Sequence, residues 1–384
     1  MKQFAKNIEN FEEAASEIKT CRKYGKDYRS ERGQTDAIIN RIHPGKLNLI
    51  VSEIIQQTKE ATTIRLVSKD GYLPPFEAGQ YINIFIEIDG VRTSRPYSIS
   101  SSPKQRAYYD ITVARIAKGF VSDFFLDKVK VGDAFESSAP SGNFHYNPIF
   151  HGKNLVFLAG GSGITPFMSM TREVLNSGIN RNIHLIYGTK LEEAAIFLNE
   201  LKDLAVRHNN FKFTLVVSEP NTSYKGRSGF ISSECIKEEV QDITNSTFYI
   251  CGPQVMYDFC LSELEKLQIP SRKIHREMFG ARQDIQNEPG WPENLTGQEE
   301  FSVKIKNGVT IKARSGESLL VALERSGVRV NVCCRSGECS LCRVKLVSGK
   351  VFQPRGVLLR YADEKYGYIH SCKSYPMSDV EIML

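Results

Sequence analysis

Cys334-Arg-Ser-Gly-Glu-Cys339-Ser-Leu-Cys342 places three cysteines within nine residues, and a fourth, Cys372, follows after a further 29. Three thiolates on one short loop can wrap a small inorganic core, because the loop holds them on a common concave side with its backbone N–H groups turned to the sulfurs. The spacing Cys-x4-Cys-x2-Cys followed by a distant Cys is that of plant-type [2Fe–2S] ligation. Gly337 fits, since a residue without Cβ lets the chain close on the core. A zinc site is the competing reading, but zinc sites usually pair cysteines two to four residues apart in two separate knuckles. Using Cys333 in place of Cys334 would lengthen the first gap by one, so Cys333 is read as a shielded bystander.

A chain of 384 residues with 41% hydrophobic content is too long for one core and predicts two or three domains. Net charge is only +6, and the basic residues are interspersed with acidic ones rather than clustered with aromatics, which argues against nucleic acid. A basic docking face for an acidic protein stays open. Nine cysteines are an odd number, and with four assigned as ligands no disulfide framework remains, so a reducing cytoplasm is expected. Met1-Lys-Gln-Phe-Ala-Lys runs into Glu9, Glu12 and Glu13 with no apolar core of a signal peptide, and no apolar run approaches a membrane span.

Residues 1–45 read as an accessory arm, in which Phe11, Ala14, Ala15 and Ile18 repeat at helical spacing before a charged polar stretch to Pro44. The expectation is a surface helix packed on the first domain. From Lys46 the rhythm is that of short strands: Ile82, Ile84, Ile86 and Ile88 alternate, and Asp89-Gly90 supplies a hairpin turn. An antiparallel β-barrel is predicted over 46–150. After Asn154 strands alternate with helices, which predicts an α/β nucleotide-binding domain with a parallel sheet over 151–280. Residues 281–300, rich in Pro, Gly and polar side chains, read as a linker; if flexible it would span roughly 25 Å and let a small domain swing. Residues 301–384 read as a small α+β (β-grasp) ferredoxin domain opened by a hairpin at Asn307-Gly308, a pair suited to a type I′ turn.

Five further motifs punctuate this frame. Arg95-Pro96-Tyr97-Ser98 combines a guanidinium that matches phosphate with an aromatic face carrying a polar tip. Gly119-Phe120-Val121-Ser122 enters a helix read at 123–129, whose free N–H groups make an anion site; a diphosphate there means FAD rather than FMN. In Ala159-Gly160-Gly161-Ser-Gly163-Ile-Thr165-Pro166 the glycines clear space for a pyrophosphate, Thr165 can cap, and Pro166 suits the first helical position. Cys251-Gly252-Pro253 closes the last long strand of the α/β domain, and Glu277-Met-Phe279 ends that domain.

In this order the motifs resemble the ferredoxin–NADP reductase superfamily with a plant-type ferredoxin fused at the C-terminus, as in reductase components of multicomponent oxygenases. The resemblance covers residues from about 46 onward and leaves the arm outside. It implies that Arg95-Pro96-Tyr97-Ser98 binds the flavin, with Arg95 on its phosphate, Tyr97 on the ribityl chain and ring, and the Ser98 hydroxyl near the ring's N5. It implies further that Gly119 to Ser122 hold the FAD diphosphate and that Gly160, Gly161, Gly163, Thr165 and Pro166 hold the nicotinamide dinucleotide. Cys251, with Gly252 and Pro253, would stand beside the nicotinamide ring, and Glu277 and Phe279 would reach the flavin edge.

Nicotinamide choice turns on the residues after the strand ending at Val217. Glu219, after Ser218, would repel a 2′-phosphate and can bond ribose hydroxyls, whereas Lys225 and Arg227 would attract it. NADH is expected, with NADPH the alternative. The implied activity is an oxidoreductase that takes a hydride from NAD(P)H onto FAD and passes single electrons through the cluster to a protein acceptor, an oxygenase or reductase component. An electron-input subunit of a fixed complex and a redox sensor without sustained turnover are the other readings.

Overall fold

In a computed structural model the described residues are 11–25, 33–42, 44–117, 119–278 and 284–384, with the Arg41 side chain outside the description. The chain divides into two compact units, Met1–Gly45 and Lys46–Leu384. In the first, α1 (Phe11–Tyr24) is helical as its spacing predicts, but Phe11 is only half-buried and Ala14, Ala15 and Ile18 are exposed, so none of its residues is buried. A second helix, α2 (Gln34–Ile42), lies in the charged polar stretch that precedes Pro44.

The larger unit opens with β1 (Leu47–Thr58), β2 (Ala61–Ser68), β3 (Tyr81–Ile88), β4 (Val91–Ser98), β5 (Tyr109–Ala114), helix α3 (Phe120–Asp127) and β6 (Ala134–Ser137). Their antiparallel sheet runs β4-β3-β6-β1-β2-β5, and a bridge between Ile99 and Ile111 joins the two edges. The isoleucine alternation holds, with Ile82, Ile84 and Ile86 at 0, 1 and 5% exposure. Asp89 and Gly90 both take positive φ, +49° and +77°, as a type I′ turn requires. On the other face of β3, however, Tyr81 and Asn83 are buried as well.

The α/β part follows: β7 (Asn154–Gly160), α4 (Ile164–Asn176), β8 (Asn182–Thr189), α5 (Leu198–Arg207), β9 (Phe211–Val217), β10 (Arg227–Ser228), α6 (Ser233–Glu239), β11 (Ser246–Cys251), α7 (Gln254–Lys266) and β12 (Ile274–Glu277). All strand pairs are parallel, in the order β10-β9-β8-β7-β11-β12. Parallel strands covered on both faces are apolar along their length: every residue of β11 is buried. The register sets Cys251 opposite Ala159 and Glu277 on its other side, so three strand ends meet at one edge of the sheet.

The last part comprises β13 (Glu300–Ile305), β14 (Thr310–Arg314), α8 (Leu319–Arg325), β15 (Arg343–Ser348), β16 (Val351–Phe352), α9 (Tyr361–Lys365), β17 (Tyr368–His370), β18 (Tyr375–Pro376) and β19 (Val380–Met383). Its mixed sheet is ordered β14-β13-β19-β15-β17, with α8 packed on it. The β13–β14 hairpin forms, but only Asn307 of its turn pair carries a positive φ (+59°), so the turn is not type I′.

Residues 284–300, read as part of a linker, pack on this last part. Ile285 and Leu295 are buried, and the Trp291 ring stands 5.1 Å from Phe352 while its Nε1 donates to the Leu295 carbonyl at 2.7 Å. A free tether over that stretch is therefore not what the structure contains. Phe279 lies outside the described residues. Among the described residues no helix is long and apolar enough to cross a membrane.

Candidate functional site

The cysteine loop between α8 and β15 is shaped by three residues in left-handed conformation: Arg335 (φ +56°), Gly337 (+85°) and Ser340 (+59°). Non-glycine residues in this region are strained by roughly 1–3 kcal/mol each and persist where their surroundings demand it. Here the backbone amides of Ser336 and Cys339 both point at Cys334 Sγ, each at 3.4 Å. Gly337 is required by its φ, and a Cβ there would stand 3.0 Å from the Lys373 side chain. His370, fully buried, clasps the loop through Gly337 O at 2.9 Å and Ser340 Oγ at 3.1 Å.

The four predicted ligands fall into two pairs. Cys342 and Cys372 have sulfurs 3.2 Å apart, and Cys334 pairs with Cys339. In each pair one thiol is pushed down, Cys334 by Cys339 and Cys342 by Cys372. Among the described residues no three His, Cys, Asp or Glu side chains converge as a mononuclear ion would need. Two sulfur pairs with amide donors suit a [2Fe–2S] group, which Cys334, Cys339, Cys342 and Cys372 would hold. Cys333 stands outside both pairs, its Sγ 3.8 Å from the Tyr81 hydroxyl on β3.

That contact belongs to a seam between the cysteine loop and the barrel. Asn83 Nδ2 donates to Val332 O at 3.0 Å, and the Thr93 hydroxyl donates to Glu324 Oε2 at 3.1 Å. Arg335, 6% exposed, donates to Thr93 Oγ1 at 3.1 Å and ion-pairs with Glu324. Tyr81, Asn83, Thr93 and Arg335 went unread in the sequence. Tyr81 and Asn83 carried one negative signal, polar or hydroxylated side chains at β3 positions that alternation assigns to solvent; Thr93, opposite Ile86 in the register, and Arg335, on the cysteine loop, carried none.

Beside this seam lies the first motif. Arg95 Nη1 bonds Thr93 Oγ1 and Ser94 O, and burial together with the nearby Arg335 lowers its guanidinium to about 10. The Glu324 carboxylate that acts on Arg95 is itself ion-paired with Arg335, and the Arg335 Nε is buried without a hydrogen bond. Two crowded guanidiniums with spare donors are suited to a phosphate. Tyr97 meets Phe125 of α3 edge-on at 5.5 Å, which joins this motif to the next. Helix α3 begins at Phe120, three residues earlier than expected, so Gly119 is its N-cap and Phe120, Val121 and Ser122 form the first turn. A Cβ on Gly119 would fall 2.0 Å from Ser122 Oγ, so the turn leaves an approach to bare backbone. These features fit an FAD diphosphate.

At the sheet edge the glycine loop closes onto the Cys-Gly-Pro turn. A Cβ on Gly163 would lie 2.2 Å from Cys251 O, and one on Gly160 2.9 Å from Pro253 Cδ. Gly161 takes φ +52°. Helix α4 is capped by Gly163, not by Thr165, whose hydroxyl bonds Ser162 O at 2.9 Å; Pro166 is the third helical residue, still within the turn that needs no N–H partner.

Ser98, Cys251 and Glu277 come together across the two domains. The Ser98 hydroxyl donates to Glu277 Oε2 at 3.5 Å. Burial, then the charge of Glu338, raises the Glu277 carboxyl well above its usual range; burial likewise raises the Cys251 thiol. Tyr257 was missed by the sequence reading. Its hydroxyl accepts from Gly252 N at 3.2 Å and donates to Glu277 O, tying the turn to the carboxylate strand.

After β9, Ser218 and Glu219 hydrogen-bond back to Thr189 O and Lys190 O, and the Glu219 carboxylate meets Lys190 Nζ at 3.2 Å on the surface. Arg227 turns to α6, where Glu238 and Glu239 hold it at 2.5 and 3.2 Å.

Comparison with known proteins agrees with this division. Residues 46–146 match the oxidoreductase FAD-binding domain, 157–261 the oxidoreductase NAD-binding domain, and 303–377 the 2Fe-2S iron-sulfur cluster binding domain. NADH oxidoreductase HCR of Escherichia coli (strain K12) is 30% identical over 333 residues, 86% of this chain and 95% of that protein. The glycine betaine monooxygenase reductase subunit of Chromohalobacter salexigens is 27% identical over 351 residues, 88% of this chain and 95% of that one. The solved structure of phthalate dioxygenase reductase superposes with TM-score 0.65 at 28% identity, covering 88% of this chain and 98% of that one. With three domain matches in this order and relatives aligned over nearly their whole length, the chain belongs to the ferredoxin–NADP reductase superfamily, among the NAD(P)H-dependent flavin oxidoreductases that end in a [2Fe–2S] ferredoxin domain.

Proposed function

We propose that this protein is an NADH-dependent reductase component of the cytoplasm, supplying single electrons to an oxygenase-type protein partner. The observation that carries the reading is the seam itself: the loop bearing the four ligand cysteines is fastened by Asn83 and Thr93 to the strand pair that continues into Arg95-Pro96-Tyr97-Ser98. When bound, FAD takes the nicotinamide's electrons as a pair and the [2Fe–2S] group releases them one at a time.

The chain's own residues bind and orient. Arg95 and the first turn of α3 would hold the flavin phosphates, and Tyr97 and Pro96 would flank its ring. Gly160, Gly161, Gly163, Thr165 and Pro166 would take the dinucleotide pyrophosphate, with Gly252 and Pro253 closing above it. Cys251 and Ser98 would line the space where the two rings meet, water being excluded by their burial. Glu277 keeps its proton to higher pH than an ordinary carboxyl, while its Oε2 accepts from the Ser98 hydroxyl. Cys334, Cys339, Cys342 and Cys372 would hold the irons.

The preference for NADH is supported by Glu219 at the strand end and by Arg227, whose charge Glu238 and Glu239 already take up. An oxygenase-type acceptor is favoured by relatives named as the reductases of glycine betaine monooxygenase and phthalate dioxygenase. Anaerobically reconstituted protein should contain iron and flavin, and NADH should bleach both optical bands. Protein holding neither group, or faster bleaching with NADPH, would overturn the corresponding part.

A further inference from the structure

The route by which electrons leave can be read from what covers the cysteine loop. Cys334, Cys342 and Cys372 are 3, 1 and 2% exposed, and on one side the loop is sealed by the barrel through Asn83, Thr93 and Tyr81. On a second side the α/β domain comes near without covering the loop: a Cβ at Gly356 would lie 3.8 Å from the Arg276 guanidinium, and Arg276, Glu338 and Gly356 are all exposed. The remaining side is open. Leu341, the residue before Cys342, is 54% exposed.

Around that opening the surface has a definite chemistry. Leu358, 60% exposed, donates its N–H to Gly337 O at 3.1 Å, and Tyr361, 79% exposed, starts α9. Arg343 and Arg360 converge on Asp363 at 2.9 and 2.7 Å, so the one carboxylate beneath them is buried and both guanidiniums face outward. Arg355 is exposed as well. From residue 338 to 366 there are six Lys or Arg (343, 345, 350, 355, 360, 365) and three Asp or Glu (338, 363, 364). The Leu358–Gly337 bond and the Arg343–Asp363 pair tie these exposed apolar residues to the cysteine loop, and exposed apolar side chains set among charges mark an interaction surface.

We propose that the protein electron acceptor docks on this face, through a surface with an apolar centre and an acidic rim, its redox centre brought up to Leu341. The inference rests on the reductase function above. Electron transfer falls steeply with distance, so an acceptor must approach the side of the loop that the two other domains leave bare. Opposite charge on the two rims steers the encounter and makes its rate depend on salt.

The test uses the full-length holoprotein and two haem-protein probes, acidic cytochrome b5 and basic cytochrome c, with ferricyanide as a small acceptor. Reduction of cytochrome b5 by NADH should slow as NaCl is raised, and the double variant Arg355→Glu, Leu358→Ser should lower it roughly tenfold at low salt. Iron content and ferricyanide reduction should be those of the parent. Cytochrome c should lack the low-salt advantage. Equal cytochrome b5 rates in parent and variant, or a rate that rises with salt, overturns the docking face while leaving the reductase intact. A parent protein that cannot reduce ferricyanide overturns the reductase reading itself.

Discussion

Asn83, in a barrel strand, donates a 3.0 Å hydrogen bond from Nδ2 to the carbonyl of Val332, 249 positions away and two residues before the first ligand cysteine. Asn83 is fully buried, and its Nδ2 also reaches Ser94 Oγ at 3.0 Å. Removing the amide strands a buried carbonyl, which costs about 1–3 kcal/mol. Asn83→Ala should leave flavin bleaching by NADH near the parental rate while cluster bleaching lags by about tenfold, a factor worth about 1.4 kcal/mol. Stopped-flow absorbance at the two bands measures the split, and equal lags in parent and variant would contradict it.

Cys333 and Cys334 are neighbours with opposite fates, since only Cys334 receives the two loop amides. Cys333→Ser should therefore retain a full complement of iron. Serine at Cys334, Cys339, Cys342 or Cys372 should abolish the cluster while the flavin remains and is still reduced by NADH. Iron and flavin assays on the purified variants decide the matter.

Glu219 stands at the end of β9 with Lys190 as its surface partner. Replacing it by alanine removes a charge repelling a 2′-phosphate and frees Lys190. Glu219→Ala should raise kcat/KM for NADPH relative to NADH by about tenfold, about 1.4 kcal/mol. Steady-state kinetics with both nucleotides would show no change if the ribose end binds elsewhere.

His184 is 9% exposed between Thr214 and Glu239, and burial, then the charge of Lys212, lowers its imidazole to about 4. The unfolded chain binds that proton first, near pH 6.5. The stability it contributes is thus fully present above about pH 6.5 and is lost as pH falls toward about 4. The Tm of the parent should drop between about pH 7.5 and about pH 5, and His184→Gln should drop less. Parallel Tm curves by scanning calorimetry would refute the assignment.

Local order was largely legible because the signals were local. Alternating isoleucines in β3, the Asp89-Gly90 turn, the apolar parallel strands and the cysteine spacing each depend on near neighbours in the chain, and each element formed. Where the reading slipped, the deciding atoms were distant. Thr165 does not cap α4, because Gly163 is pressed against Cys251 and the helix starts there. The stretch read as a tether is held by Trp291 against Phe352. Tyr257 became part of the site only when α7 brought its hydroxyl to Glu277.

By itself the sequence determined which cofactor chemistry each segment can support, because ligand type and spacing are properties of a short stretch of chain. Only the tertiary structure decided which segments face each other: that Tyr81 and Asn83 on a solvent-side strand face, with Thr93 of the neighbouring edge strand, become the seat of the cysteine loop, and that Leu341 is left bare. The physical reason is that a buried polar side chain is tolerated only where its hydrogen-bond partner arrives, and here that partner comes from the other end of the chain.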